Sequence, residues 1–154
     1  MRRQKSIKPT RRPRIAKRGV SAGATAKARR ERERAIVAKL MPLSKNSVRN
    51  TATKKDIYIT SKGIYETAHH AAKSELSTAA AMDARRQLRD ALPGCTTRTK
   101  GNRRQKEMRL EKMNLMHGRY IGAETKVNVG VTKSNTHLLY SITAKHRRRK
   151  RKTP

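Results

Sequence analysis

The chain has 154 residues, of which 41 are Lys or Arg and only ten are Asp or Glu, giving a formal net charge of +31. It has no Trp, no Phe and four Tyr (Tyr58, Tyr65, Tyr120 and Tyr140), a composition that predicts little independent core to offset the entropy of ordering. The single Cys95 excludes an internal disulfide and a CxxC zinc site, and no apolar run approaches the roughly 20 residues of a membrane helix.

The placement of charge says more than its total. Met1 to Arg30 holds twelve Lys/Arg and no acid, Thr125 to Pro154 holds nine and no acid, and all ten acids lie between. Two polycationic arms on a moderately basic centre repel themselves and call for a polyanionic partner. Nucleic acid leads because its phosphates are dense and multivalent.

Residues 1–25 read as an extended basic arm. Pro9 and Pro13 interrupt any early helix. Arg2, Arg3, Lys5, Lys8, Arg11, Arg12, Arg14, Lys17 and Arg18 place a cation at about every second residue. An extended chain advances about 3.3 Å per residue, so these charges recur at roughly the spacing of phosphates. The same Arg-rich, acid-free composition also fits a mitochondrial transit peptide.

Residues 26–118 are predicted to be a helical centre. A first helix is expected from Ala26 to Met41, capped by Thr25 and stopped by Pro42, with Arg29 and Arg30 on its surface. A polar linker spans 43–56, and Ile57-Tyr58-Ile59 has the pattern of a short strand. Ile64, Ala68, Ala72, Leu76, Ala80, Ala84, Leu88 and Leu92 then recur every four residues, the stripe of one long helix capped by Ser61 and ended by Pro93-Gly94. The stripe is read as a packing face, with direct RNA contact as the alternative.

A third helix is predicted over Arg103–His117. Asn102 and Gln105 form its capping box, Gly118 takes the C′ position, and Arg103 and Arg104 join the candidate RNA-binding set. Met108, Leu110, Met113, Leu115 and Met116 would supply a docking or core face. Over 119–143 the period changes to two. Val127, Val129 and Val131, then Leu138, Tyr140 and Ile142, predict a β-hairpin around Lys133-Ser134-Asn135. Residues 144–154 are a basic tail, in which Arg147, Arg148, Arg149, Lys150, Arg151 and Lys152 read as a phosphate anchor or a nuclear address. The expected fold is thus mainly α with long extended basic arms, two or three helices, a C-terminal hairpin and little core of its own.

No catalytic constellation is visible in the sequence. His69 and His70 are adjacent, and neighbours on a helix point about 100° apart, so they do not easily share a metal. Walker-type and GxGxxG patterns are absent, the acids are spread out, and Cys95 has no base near it in sequence. The sequence therefore predicts neither enzyme, metal, cofactor nor small-molecule substrate.

In composition and layout, with short helices and charged extensions, the chain resembles small basic ribosomal proteins and ribosome-assembly factors. The resemblance implies an rRNA-binding structural component that neutralises and bridges phosphates. Neighbouring ribosomal or assembly proteins would dock on the 64–92 and 103–117 helices, in a nucleolar, cytoplasmic or mitochondrial ribosomal particle and away from membranes. A chromatin or viral DNA-condensing protein, or a protein-docking scaffold with nucleic-acid retention arms, is the alternative.

Overall fold

The computed structural model describes residues 22–146, so candidate contacts from Arg2 to Arg18 and from Arg147 to Lys152 lie outside the described residues. The element order is α1 (Ala22–Leu40), a 3-10 turn (Met41–Leu43), β1 (Ser47–Arg49), β2 (Asp56–Tyr58), α2 (Ser61–Ala71), α3 (Glu75–Met82), α4 (Ala84–Asp90), β3 (Leu92–Arg98), α5 (Arg103–Glu107), β4 (Leu110–Tyr120), β5 (Ala123–Thr132) and β6 (His137–Lys145). The strands form one mixed sheet in the order β1-β2-β6-β5-β4-β3, in which β2–β6 is the parallel pair.

This α+β architecture corrects the expected mainly α fold with little core. Ile36 and Leu40 of α1, Ile64, Ala68, Ala80, Ala84 and Leu88 of α2–α4, and Met116, Val127, Val129, Leu139 and Ile142 of the sheet are buried together. The core needs no Trp or Phe because its layers lie close. A Cβ on Gly63 would sit 2.1 Å from the Leu139 carbonyl oxygen, so α2 crosses β6 in backbone contact. Ala on the helices and β-branched residues on the sheet fill what space remains.

The four-residue stripe corresponds to three helices rather than one. Six of its eight members are buried, whereas Leu76 is only partly covered and Leu92 is 60% exposed at the start of β3. Ser74 breaks the run in extended conformation and caps α3 by accepting from the Ser77 amide at 3.0 Å. Asp83 interrupts it again. Each break re-aims the next helix without losing the spacing. The N-cap of α2 is Thr60 rather than Ser61, with Thr60 Oγ1 accepting from the Gly63 amide at 3.1 Å.

The predicted 103–117 helix stops at Glu107. Its capping box at Asn102 and Gln105 is present, but Arg109 adopts φ 59° and β4 begins at Leu110. Met113 and Met116 consequently point to opposite faces, one opposite Gly130 and one opposite Val127. Strong helix formers are here held in a strand by pairing on both sides. Gly118 is no helix cap either. It lies in β4, where a Cβ would come 2.6 Å from Thr125 Oγ1 and 3.0 Å from Gln87 Oε1. Buried Gln87 donates to the Arg119 carbonyl at 2.8 Å and accepts from Thr125 Oγ1 at 2.7 Å, tying α4 to the sheet.

The segment read as a β-hairpin is β5 and β6, joined to further strands on both sides. Its alternation is not strict. The register shifts between Asn128↔Ser141 and Val129↔Leu139, leaving Tyr140 as an extra residue in β6. Leu139 and Ile142 therefore share the main core, while Tyr140 turns to a second cluster with Met108, Leu110 and Met113.

β6 pairs with β2 only at His137 and Leu138. Beyond these, helix hydroxyls close its edge. Thr67 Oγ1 donates to the Tyr140 carbonyl at 3.3 Å, and Ser77 Oγ donates to the Ala144 carbonyl at 2.9 Å and accepts from the Ala144 amide at 2.8 Å. Thr67→Val keeps the shape but strands a buried carbonyl, so it should lower unfolding stability by about 1–2 kcal/mol. Gly63→Ala forces two backbones apart and should cost about 1–3 kcal/mol. Glu75→Gln, on the exposed side of α3, should leave the denaturation midpoint within error. Urea titration followed by circular dichroism measures all three.

Candidate nucleic-acid interface

α2–α4 cover one face of the sheet. The opposite face carries the short α5 at one end and is open at the other. Side chains of β4, β5 and β6 stand there in cross-strand rows: His117, Lys126 and Thr143 in one, Arg119, Glu124 and Lys145 in the next. With Leu92 they line a groove of about 620 Å³. Its single acid, Glu124, stands between Arg119 and Lys145, so the lining is net positive. β6 ends in this groove at Lys145, and the sequence continues into Arg147–Lys152. The groove cations escaped the sequence reading because cross-strand register alone brings them together.

The four described members of the predicted RNA-binding set lie elsewhere. Arg29 is half-buried and donates to the His69 carbonyl at 3.3 Å, tying α1 to α2. Arg30 is exposed on α1, in a shallow groove shared with Arg34, Tyr65 and His69. Arg103 is 92% exposed and pairs with Glu107 at 3.2 Å. Arg104 is bound on two sides, to Glu66 at 3.3 Å and Glu107 at 3.1 Å. Arg30 therefore remains open to phosphate, whereas Arg29, Arg103 and Arg104 also hold protein.

Beside α5, a polar cluster assembles from three elements. α2 presents Glu66 and His70 one turn apart, and Glu66 Oε2 meets His70 Nε2 at 2.7 Å. Arg104 of α5 approaches Glu66 Oε1. Bulged Tyr140 lies below, its hydroxyl accepting from Asn102 Nδ2 at 3.4 Å and its ring 6.3 Å from the His70 ring. Burial, with the nearby Glu66 charge adding to it, raises the Tyr140 phenol above its ordinary pKa and keeps it protonated at neutral pH. The Glu66 side chain is 13% exposed, against 33–51% for the other ion-paired carboxylates among the described residues. The sequence reading picked out Arg104 as a candidate phosphate contact but missed Glu66 and its pairing with His70, because the cluster forms only when α5 and the β6 bulge bring Arg104, Asn102 and Tyr140 to α2.

Among the described residues no group of three or more His, Cys, Asp or Glu is gathered as for a metal ion. No described helix is long and apolar enough to cross a membrane. Comparisons with protein-family models, curated proteins and solved structures found no match.

Replacing Arg119, Lys126 and Lys145 together with Gln tests the groove. If phosphates lie there, the plot of log affinity against log salt should become shallower by about 2–3 units, since each lost phosphate contact releases one counterion fewer. Filter binding over a salt series reads the slope, and an unchanged thermal midpoint confirms that the sheet is intact.

Proposed function

We propose that this chain is an rRNA-binding protein of a ribosomal or pre-ribosomal particle, with a folded α+β centre that two basic arms fasten to RNA phosphates. The observation that carries it is the pair of acid-free runs at opposite ends of the chain. The net-positive groove where β6 gives way to Arg147–Lys152 supports it, because groove and run can follow one backbone. Arg favours folded RNA through forked hydrogen bonds and base stacking. Six of the eight residues of the 64–92 stripe are buried within the fold rather than left free for a docked protein.

The test compares structured RNA, single-stranded RNA and duplex DNA at physiological salt. Structured RNA should bind tightest, with affinity falling steeply as salt rises. Changing Arg147, Arg148 and Arg149 to Gln should weaken binding almost uniformly across RNA sequences and flatten the salt dependence. Flat binding between low and physiological salt would refute phosphate contact. Co-sedimentation with mature subunits marks a resident protein, and with precursors alone an assembly factor.

A further inference from the structure

The cluster around Glu66 has a composition that a structural tie does not require. α5 is already fixed by its capping box and by burial of Gln105 and Met108. A desolvated ion pair there adds little stability over apolar packing. Yet in a chain with ten acids, the least exposed ion-paired carboxylate sits against a histidine, an arginine and a phenol. His70 and Arg104 keep 35% and 33% of their side chains exposed, so the carboxylate lies behind two side chains that reach solvent. Tyr140 and Thr143 are three residues apart on β6, about 10 Å along the strand. The cluster thus lies within a few nucleotides' length of the basic groove.

The geometry points to a metal-independent RNA-cleaving site, with Glu66 as general base, His70 as general acid and Arg104 as the cation facing the reacting phosphate. The inference rests on the RNA-binding reading and names a reaction for it. RNA carries its own nucleophile, so an acid, a base and a cation suffice. Glu66 takes the proton of a ribose 2′-hydroxyl, whose oxygen attacks the adjacent phosphorus. The bond from phosphorus to the 5′-oxygen breaks, and protonated His70 supplies the proton that oxygen needs. The products are a 2′,3′-cyclic phosphate and a free 5′-hydroxyl, with no net change in protons and no further reactant. Arg104 offsets the charge that builds on the phosphoryl oxygens, and the Tyr140 hydroxyl donates into the same space. Glu66 is left protonated and His70 neutral. Their 2.7 Å contact lets the proton pass straight back, resetting the pair without solvent.

The experiment incubates the full chain, in excess EDTA, with an end-labelled mixed-sequence oligoribonucleotide and its all-deoxy counterpart. Binding is measured in parallel. The expected result is cleavage of the ribo strand alone, leaving cyclic-phosphate ends. Glu66→Gln and His70→Gln should each slow it by about 100-fold or more with RNA affinity unchanged, and Glu66→Asp should recover part of the loss. Thermal melts check folding. If Glu66→Gln fails to fold, His70→Gln, at the more exposed partner of the pair, carries the comparison. Bound but uncut RNA overturns the cleavage site and leaves RNA binding standing. Equal rates for wild type and the Glu66→Gln/His70→Gln double variant, which betray a contaminating nuclease, also overturn it. Failure to bind RNA at all removes both readings.

Discussion

The packing of the helices against the sheet turns on how the free edge of β6 is closed. A strand edge presents unpaired amides and carbonyls that must find partners. β2 supplies them only as far as Leu138, and the helices take over from there. Gly63 lets α2 lie against the β6 backbone, and the Thr67 and Ser77 hydroxyls bond to it at Tyr140 and Ala144. A hydroxyl on a helix can play this part only when the helix comes within reach of the strand. Glycine at position 63 and a core built from Ala, Val and Ile are thus one solution to one problem. A larger aromatic core would hold the layers apart and leave the edge open.

The same approach decides where polar chemistry can gather. Glu66 neighbours Thr67 on α2, so the contact that seals β6 also brings a carboxylate to the sheet margin. The bulge turns Tyr140 off the main core toward that carboxylate. α5, held by its capping box, adds Arg104 and Asn102 from a third direction. Scarce acids elsewhere serve as local charge anchors. Asp90 pairs with Arg89 at 2.8 Å and lies 4.0 Å from Arg86, both in solvent, where such pairs contribute little. The Glu66 cluster is a place where a carboxylate, an imidazole and a guanidinium meet in direct contact, with the carboxylate the least exposed of the three.

Sequence periodicity located buried positions better than it located elements. The i, i+4 stripe from Ile64 to Leu88 identified most of the helical side of the core, yet gave no sign that Ser74 and Asp83 divide it. Those breaks follow from the path over the sheet, a tertiary constraint. Composition misled in a different way. The absence of large aromatics implied a chain without a core, but core area can also come from many small and β-branched side chains packed closely. At 108–117, local propensity favoured helix and lost to pairing with β3 and β5. Tyr140 shows the limit of period two: one inserted residue sends Leu139 and Ile142 to the same face, and no local pattern announces it. Of the polar cluster only Arg104 was legible in the sequence, as a surface cation, and the acid-free runs were legible as a polyanion-binding composition, whereas the Glu66–His70 pair was missed. The rest depended on register.

Charge is divided between acid-free runs at the two ends of the sequence and a folded centre. Under the proposed function the cations of those runs would bind a substrate and a transition state equally well. Such uniform binding raises occupancy without speeding a reaction. The centre holds its cations at fixed cross-strand positions, so it can distinguish one backbone path from another. The backbone position of a groove cation such as Lys126 is fixed by cross-strand register, between His117 and Thr143. In the proposed complex the two ends would retain the chain on RNA while this folded face sets its orientation. That division explains why a protein of net charge +31 still builds a neutral, closely packed core of its own. Precise placement of a few charges requires rigid strands to carry them.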